Sequence, residues 1–542
     1  MVPSPSSASE STKKEDPDLE KQPSTSDEDI TSTTESPTPI GIGEGLHHQL
    51  TKEDDHVGGG LATITQSWVE YPQNPYHEFG FVAVICMAQF MTQSGLAQVI
   101  APLHLIGASF DTQVPGQLSW FPAAYSLTVG TFILPAGRLG DLYGHKRLVV
   151  TGFLWWALWS LIGGLSVYSG PTLLVFCRAM QGIGPALCLP NAVAILGRTY
   201  RPGVRKQMMF SAFGATAPTG FIVGAAFASL LAKYANWQWA FYINAIVCLL
   251  LAILSIFLIP TTPPPRMNPL ESVWNLTDAL GGITGVSGLV LVNVAWNQAP
   301  LVGWSTPYTY VLLIIGIVVL GGFGYVELRV SKFPLVPFKD MAADSAFILA
   351  CMALGWSGFS VWTYYFWQFL LELRHVSPLL ASAQFSPVCI SGLLAAVTTG
   401  YIIHRVPGSL LMGIALLAFS LGLILLATAP VDQTYWAQTF VSLLIMPWGM
   451  DISFPAANLL LSNKMPRESQ GVSASLVNTV INYSISLALG IAGTIEGEVN
   501  DGGQDKLMGY RGAWYLGIGM GIAGIFCAMV FAFSEWRENK RK

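Results

Sequence analysis

The stretch GRLGDLYGHKR, residues 137–147, lies between two apolar runs, 118–136 and 148–167, each long enough to cross a bilayer as a helix. Its three glycines allow a tight backbone turn. Its three cations crowd a short connection, as is typical of a cytoplasmic loop in a membrane protein. Two spans joined in this way predict a pair of helices held at a fixed angle. We interpret the loop as a gating element whose functional residues are Gly137, Arg138, Asp141, Gly144, Lys146 and Arg147.

The composition indicates a protein with many membrane spans. Of the 542 residues, 52% are hydrophobic and 11% are charged, whereas soluble proteins carry about 25% charged residues. Residues 1–78 hold four cations and fifteen acids, and the rest of the chain holds 23 cations and 17 acids. The net acidity therefore comes from the N-terminal tail and does not indicate a nucleic-acid partner. All seven cysteines fall in apolar runs, and no catalytic or phosphate-binding motif is present, so we expect no metal, no cofactor and no enzymatic activity.

About fourteen apolar runs of roughly 20 residues follow Glu78 and predict an all-α membrane protein. With a cytoplasmic N-terminus, the predicted inside loops and C-terminal tail collect eighteen Lys and Arg residues and the outside loops four. This asymmetry favours both termini on the cytoplasmic side. The predicted domains are a disordered acidic cytoplasmic tail (1–75), a six-helix bundle (76–260), a linker with two inserted helices (261–340), a second six-helix bundle (341–534) and a basic cytoplasmic tail (535–542).

A weak internal repeat supports two related halves. The fourth span contains Gly184 and Pro190, and the twelfth contains Gly449 and Pro455 at the same six-residue step, each before a cationic loop. Related six-helix halves are typical of secondary transporters. Chance similarity between apolar helices is the alternative.

Two charged residues lie deep within the predicted spans, Arg178 in the fourth and Asp451 in the twelfth. A charge at the centre of a bilayer costs about 2.5–3.5 kcal/mol even on insertion scales. We therefore hypothesise that both face a central cavity and couple transport to protons, with Gln181 on the same helix face as Arg178. A static polar tie between helices is the alternative. Gly182 and Gly184 allow a neighbouring helix to approach closely.

Polar side chains on two spans predict the lining of that cavity. Gln89 and Gln93 lie one turn apart in the first span, and a second polar stripe in the thirteenth span comprises Ser475, Asn478, Asn482 and Ser486. Of these residues we expect Gln89, Gln93, Asn478 and Asn482 to contact the solute, together with Tyr364 from an aromatic cluster in the ninth span. Hydrogen bonds between helices are the alternative for the amides, and a lipid-facing position is the alternative for the tyrosine.

These features resemble the major facilitator superfamily, in its fourteen-span drug–proton antiporter branch. The loop is similar to the family motif Gly-x-Leu-Ala-Asp-Arg-x-Gly-Arg-Lys and departs from it at Gly140, Leu142 and His145. The sequence LVFCRAMQGIG, residues 174–184, is similar to the fourth-span motif, and this resemblance implies that Arg178 takes part in proton coupling. The fifth-span antiporter motif survives only in part, and the resemblance implies helix packing for Gly214, Pro218 and Gly220.

Residues 119–141 and 449–457 are similar to fungal aminotriazole-resistance and boron-efflux transporters and to low-affinity ammonium facilitators. The resemblance implies an efflux pump of the multidrug-resistance type that exchanges a small xenobiotic, toxic metabolite or natural product for protons. We expect a monomer in the plasma membrane rather than the vacuolar membrane, with solute, protons and the lipid bilayer as its partners. The alternatives are a facilitator of a small ion or neutral solute such as ammonium or borate, and a non-transporting nutrient sensor.

Overall fold

The computed structural model describes residues 74–541, except 113, 201–203, 262–271, 340, 342, 404 and 464–469. The tail predicted over 1–75 therefore lies outside the described residues, apart from its last two positions. Within these ranges the chain contains helices and their connections and no β-strand. The helices are α1 (Pro75–Ile100), α2 (Leu103–Ala108), α3 (Pro115–Tyr143), α4 (His145–Leu165), α5 (Pro171–Thr199), α6 (Val204–Tyr234), α7 (Gln238–Leu258), α8 (Val273–Leu276), α9 (Ala279–Val302), α10 (Pro307–Tyr325), α11 (Ala343–Gln368), α12 (Pro378–Phe385), α13 (Pro387–Ile402), α14 (Gly408–Ala427), α15 (Gln438–Asn463), α16 (Gln470–Val499) and α17 (Lys506–Arg541).

Thirteen helical segments in the described ranges are long and apolar enough to cross a membrane. One of them joins α12 and α13, and two others end in π-helical turns, Val326–Val330 after α10 and Phe369–Leu373 after α11. The 29-residue α3 is the fourteenth long helix, and it carries several polar side chains that are buried between its neighbours. The predicted all-α membrane fold is confirmed.

The helices pack into two groups, which a pair of inserted helices connects. In the N-terminal group α1 packs on α6, α3 on α5, and α4 on both α5 and α7. In the C-terminal group α14 packs on α15 and α17, α11 on α16 and α17, and α13 on α15. The inserted helices α9 and α10 pack on each other, and α9 also contacts α3 and α16. The two groups meet along α3 and α16, which we call the seam.

The apolar core is continuous at one end of the molecule and divided at the other. We call the end that carries loop 137–147 the motif end and the opposite end the distal end. At the distal end one buried cluster contains residues of both groups, and the rings of Phe221 and Phe385 lie 5.4 Å apart within it. Towards the motif end the core separates into one cluster from α1 and α3–α7 and another built mainly from α11 and α14–α17. The two groups are therefore joined most tightly at the distal end.

The turn between α3 and α4 depends on two glycines. Gly144 adopts a φ of 98°, a conformation that favours glycine. A Cβ on Gly140 would overlap Asn191 Oδ1 of α5 and would lie 2.6 Å from His145 Nδ1. His145 Nδ1 and Asn191 Oδ1 form a buried hydrogen bond of 2.7 Å. Gly140 and His145, two positions at which the loop differs from the family motif, therefore pack together against Asn191.

We predict that Gly140→Ala destabilises the fold by about 1–3 kcal/mol, because the methyl group must displace Asn191. Thermal unfolding of the purified protein in detergent measures the loss. Gly197→Ala, in open space on α5, is the matched control for the gain in helix propensity. The double variant Gly140→Ala/Asn191→Ala should recover part of the loss. A double variant no more stable than Gly140→Ala would contradict this account.

Candidate functional site

Arg178 of α5 is fully buried, and its guanidinium group joins three helices. Nε donates to the carbonyl of Phe121 in α3 at 3.0 Å, and Nη2 donates to the carbonyl of Gly95 in α1 at 2.7 Å. Nη1 donates to Oε1 of Gln181 at 2.9 Å, and the ring of Tyr125 lies 4.4 Å from Cζ. The hydrogen-bond and ion-pair partners described for Arg178 include no carboxylate. Carbonyl dipoles and an aromatic face therefore stabilise its charge.

Gln181 and Tyr125 extend these contacts to more helices. Gln181 Nε2 donates to Ser160 Oγ of α4 at 2.8 Å, and Asn244 Nδ2 of α7 donates to the same oxygen at 2.7 Å. The Tyr125 hydroxyl donates to the carbonyl of Thr92 in α1 at 3.0 Å. We call Arg178, Gln181, Tyr125, Ser160 and Asn244 the arginine network. It connects α1, α3, α4, α5 and α7 of the N-terminal group.

Asp451 of α15 has a different environment. Its Oδ2 atom is buried and has no hydrogen-bond partner in the described structure. The carboxyl group lies against Gly392 of α13, where an added Cβ would stand 2.9 Å from Oδ2. Cys389, about one turn before Gly392, is close enough to interact electrostatically with Asp451. The expectation that Arg178 and Asp451 face one cavity is wrong for Arg178, because its hydrogen bonds point into its own helix group.

A cleft between α6 and α13 approaches Asp451. Thr219 Oγ1 of α6 lies 4.0 Å from Cys389 Sγ of α13. On the distal side of this contact the helices stay together, with Ser229 Oγ 3.2 Å from Ser382 Oγ. On the motif side, Ser211 and Ala215 are exposed and lie on the same face of α6 as Thr219. Because the apolar core is also divided towards the motif end, we infer that the gap between α6 and α13 widens in that direction.

Sequence reasoning missed this cleft because small residues on an apolar helix give little signal. The spacing of Ser211, Ala215 and Thr219, each four residues apart, is the pattern that could have indicated it.

The polar stripe of α16 lies at the seam. A Cβ added to Gly130 of α3 would stand 2.7 Å from the backbone nitrogen of Tyr483 and 3.2 Å from Cβ of Asn482. The Nδ2 atoms of Asn478 and Asn482 donate, each at 2.9 Å, to backbone carbonyls of α16. Ser486 Oγ donates to the carbonyl of Ala123 in α3 at 2.9 Å. Asn478 and Asn482 are half-buried beside this contact, and their contact with solute stays a prediction.

The other predicted cavity residues differ in their exposure. Gln89 and Gln93 are half-buried on α1, and their contact with solute stays a prediction. Tyr364 is 4% exposed and lies in the distal cluster with its ring 5.1 Å from that of Tyr365. The expectation for Tyr364 is corrected, because its ring is part of the closed end of the molecule.

In the gating loop, Asp141 pairs with a cation that the loop sequence did not indicate. Arg198 at the end of α5 places Nη2 2.9 Å from Asp141 Oδ1, and His145 Nε2 lies 3.5 Å from the same oxygen. The side chains of Asp141 and Arg198 are 50% and 39% exposed, so the pair contributes at most about 1 kcal/mol. The family motif has an arginine at the position of Leu142, and in this chain Arg198 supplies a cation beside Asp141 instead.

The cations of the loop have separate surroundings. Arg138 Nε donates to the carbonyl of Leu276, next to the inserted helices, at 2.8 Å. Lys146 Nζ donates to the carbonyl of Ile256 in α7 at 2.8 Å, and Arg147 is exposed. At Gly137 an added Cβ would stand 3.2 Å from Ser475 Oγ of α16. The loop thus contacts α7, the short helix α8 that precedes the inserted pair, and the seam.

The predicted packing positions differ from one another. A side chain at Gly182 would overlap α3, one at Gly184 would crowd Trp156 of α4, and one at Gly220 would overlap α1. Pro218 is half-buried within α6. The expectation for Gly214 is wrong, because this residue is exposed and an added Cβ would meet no atom within 4 Å.

Comparison with known proteins matches residues 82–490 to the Major Facilitator Superfamily. The chain is 57% identical to the low affinity ammonium transporter of Saccharomyces cerevisiae over 87% of this chain and 92% of that protein. It is 52% identical to the efflux pump terJ of Aspergillus terreus over 87% and 91% of the two chains. It is 38% identical to the aminotriazole resistance protein of Saccharomyces cerevisiae over 92% of each.

Solved structures agree on the fold. A POT family transporter in complex with a thioalcohol-conjugated peptide superposes with a TM-score of 0.63 at 15% identity, covering 86% of this chain and 98% of that one. A peptide transporter POT in complex with sulfate gives a TM-score of 0.62 at 17% identity over 86% and 97%. The resemblance inferred from the loop and fourth-span motifs is confirmed: this chain is a multi-pass membrane transporter, not an enzyme, and it belongs to the Major Facilitator Superfamily.

Proposed function

We propose that the chain exports a small molecule, a xenobiotic, toxic metabolite or natural product, across the plasma membrane in exchange for protons, and that it works as a monomer. Two relatives, one named an efflux pump and one an aminotriazole resistance protein, support export. The cation asymmetry of the loops supports a cytoplasmic motif end and cytoplasmic termini.

The environment of Asp451 is the observation that supports coupling of transport to protons. A buried carboxylate oxygen without a hydrogen-bond donor is costly when ionised, so the group exchanges a proton when its surroundings change. Asp451 stands beside the α6–α13 cleft, where a change in the angle between the two helix groups would alter its access to water. Protonation thereby biases the populations of the two orientations of the carrier.

The arginine network has a different part in this proposal. Arg178 and Gln181 act on coupling by fixing the helices of the N-terminal group. Since α6 packs on α1, and α1 receives hydrogen bonds from Arg178 and Tyr125, the position of one wall of the cleft depends on the network. The gating loop controls access at the motif end through its contacts with α7 and with α8, which precedes the inserted pair.

A second candidate function is facilitated movement of a small ion or neutral solute such as ammonium or borate. The 57% identity to a protein named as a low affinity ammonium transporter favours it. The two candidates differ in their energy source, because antiport stops when the proton gradient collapses and a facilitator continues down the gradient of its solute. A nutrient sensor, the third possibility, carries no flux in either condition.

Cells loaded with members of a solute panel, assayed at two external pH values with and without an uncoupler, test the proposal. We expect outward flux against the solute gradient that an uncoupler abolishes and that an empty-vector strain lacks. Uncoupler-insensitive flux of methylammonium down its gradient would overturn antiport in favour of the facilitator.

Asp451→Asn should abolish proton-driven efflux while keeping exchange of solute for solute, because the amide cannot carry the proton. The ratio of efflux at acid and neutral external pH should fall to about 1. Asp432→Asn, at an exposed acid before α15, is the matched control and should behave as wild type. Wild-type pH dependence in Asp451→Asn would remove this residue from the mechanism.

Arg178→Gln should lower the stability of the protein by about 3 kcal/mol, since it leaves buried carbonyl oxygens of α1 and α3 without donors. Thermal unfolding in detergent measures this loss, and Arg147→Gln, at an exposed position, serves as the control. The residual transport of Arg178→Gln should keep its pH profile. A stable Arg178→Gln protein with an altered pH profile would instead assign Arg178 a direct role in coupling.

A further inference from the structure

At the distal end, a histidine of the N-terminal group contacts an acid of the C-terminal group. His104 lies on the short helix α2, and its Nδ1 is 3.1 Å from Oε1 of Glu372 in the turn after α11. Its Nε2 contacts Oε1 of Gln368. The other oxygen of Glu372 accepts hydrogen bonds from Lys506 Nζ at 2.7 Å and from the Tyr510 hydroxyl at 2.9 Å. We call these five residues the distal latch.

The contacts of His104 favour an ion pair with Glu372 over a neutral hydrogen bond. Both ring nitrogens of His104 face acceptor oxygens, and an imidazole ring donates from both nitrogens when it is an imidazolium ion. Rotation of the Gln368 amide would give a neutral ring a second hydrogen bond. It would not restore the charge that attracts the Glu372 carboxylate, and hydrogen bonds between charged groups are roughly twice as strong as neutral ones.

The latch is accessible from the distal side. The side chains of His104, Glu372 and Lys506 are 22%, 21% and 53% exposed. They line an open cavity of about 410 Å³ that His375 also borders. The titratable and charged groups around His104 are Glu372, Lys506 and Tyr510 of the latch and His375, and Glu496 lies within electrostatic range of Glu372. Protons in the adjoining solution can reach His104 directly.

We propose that a proton bound by His104 holds the distal end closed, so that the pH of the solution on that side sets how often the carrier opens there. The closed state pairs the imidazolium ion with Glu372, and opening separates helices of the two groups and removes this partner. Closure and the charged form of this contact therefore favour each other, so closure should weaken as pH rises. The identification of this side with the cell exterior rests on the proposed function.

The test follows opening directly, without transport. Ser382 is buried in the distal contact between α6 and α12, so Ser382→Cys reacts with a membrane-impermeant maleimide only when the distal end opens. Five of the seven native cysteines are buried and two are half-buried, so the chain without Ser382→Cys gives the background. Labelling rates are measured between about pH 5 and pH 8. Each rate is divided by that of a His104→Arg variant, which keeps a permanent cation, because thiol reactivity itself rises with pH.

With the native histidine, we expect this ratio to rise about fivefold to tenfold from acid to neutral pH. His104→Gln and His104→Asn should give a high ratio at every pH. His375→Gln, which alters the same cavity outside the latch, should keep the native profile. A flat ratio with His104 present, or a native profile in both neutral variants, overturns the latch. Labelling from the cytoplasmic side alone, with the pH response intact, overturns the proposed membrane orientation instead.

Discussion

A buried guanidinium group that has no carboxylate partner is stable only if enough carbonyl oxygens and polarizable surface surround it. Arg178 meets this condition by drawing α1, α3 and α5 to within hydrogen-bond distance, and Gln181 and Asn244 bring in α4 and α7. Removal of any one of these helices would leave a charge or a carbonyl group unsatisfied. The N-terminal helix group is therefore constrained to move as a unit, and the moving surfaces lie at its borders with the C-terminal group.

Those borders are unlike one another. Along the seam, α3 and α16 approach with backbone against backbone at Gly130. At the α6–α13 cleft the contact begins at Thr219 and continues to the distal end, while the motif side is open. At the distal end aromatic packing is joined by the distal latch. Asp451, the proposed proton-binding group, stands beside the border that changes most along its length.

The fold could be predicted from the sequence because the length of the apolar runs and the segregation of Lys and Arg depend on the bilayer alone. The close helix contacts at Gly182 and Gly184 also follow from a local rule, the preference for small residues where helices approach closely. Gln181 could be predicted as a neighbour of Arg178, but its other partners could not, because backbone carbonyls and a tyrosine face leave no trace in residue type. Arg198 was missed for a related reason: its pairing with Asp141 joins residues 57 apart in the chain. The role of the α16 amides could not be decided from the sequence, because hydrogen bonds between helices and a polar cavity favour the same residues.

The approach at Gly130 constrains the path of any opening motion. Because α3 and α16 touch through main-chain atoms, they cannot slide past each other without a steric clash, whereas a small rotation about their common line keeps the contact. This line then acts as a rotation axis, and the α6–α13 cleft lies on the far side of the molecule from it. In the proposed cycle, a rotation that closes one end opens the other. Residues near the axis move little, whereas those at the α6–α13 cleft move far. A side chain larger than hydrogen at position 130 would separate α3 from α16 in both orientations, which accounts for the glycine at this position.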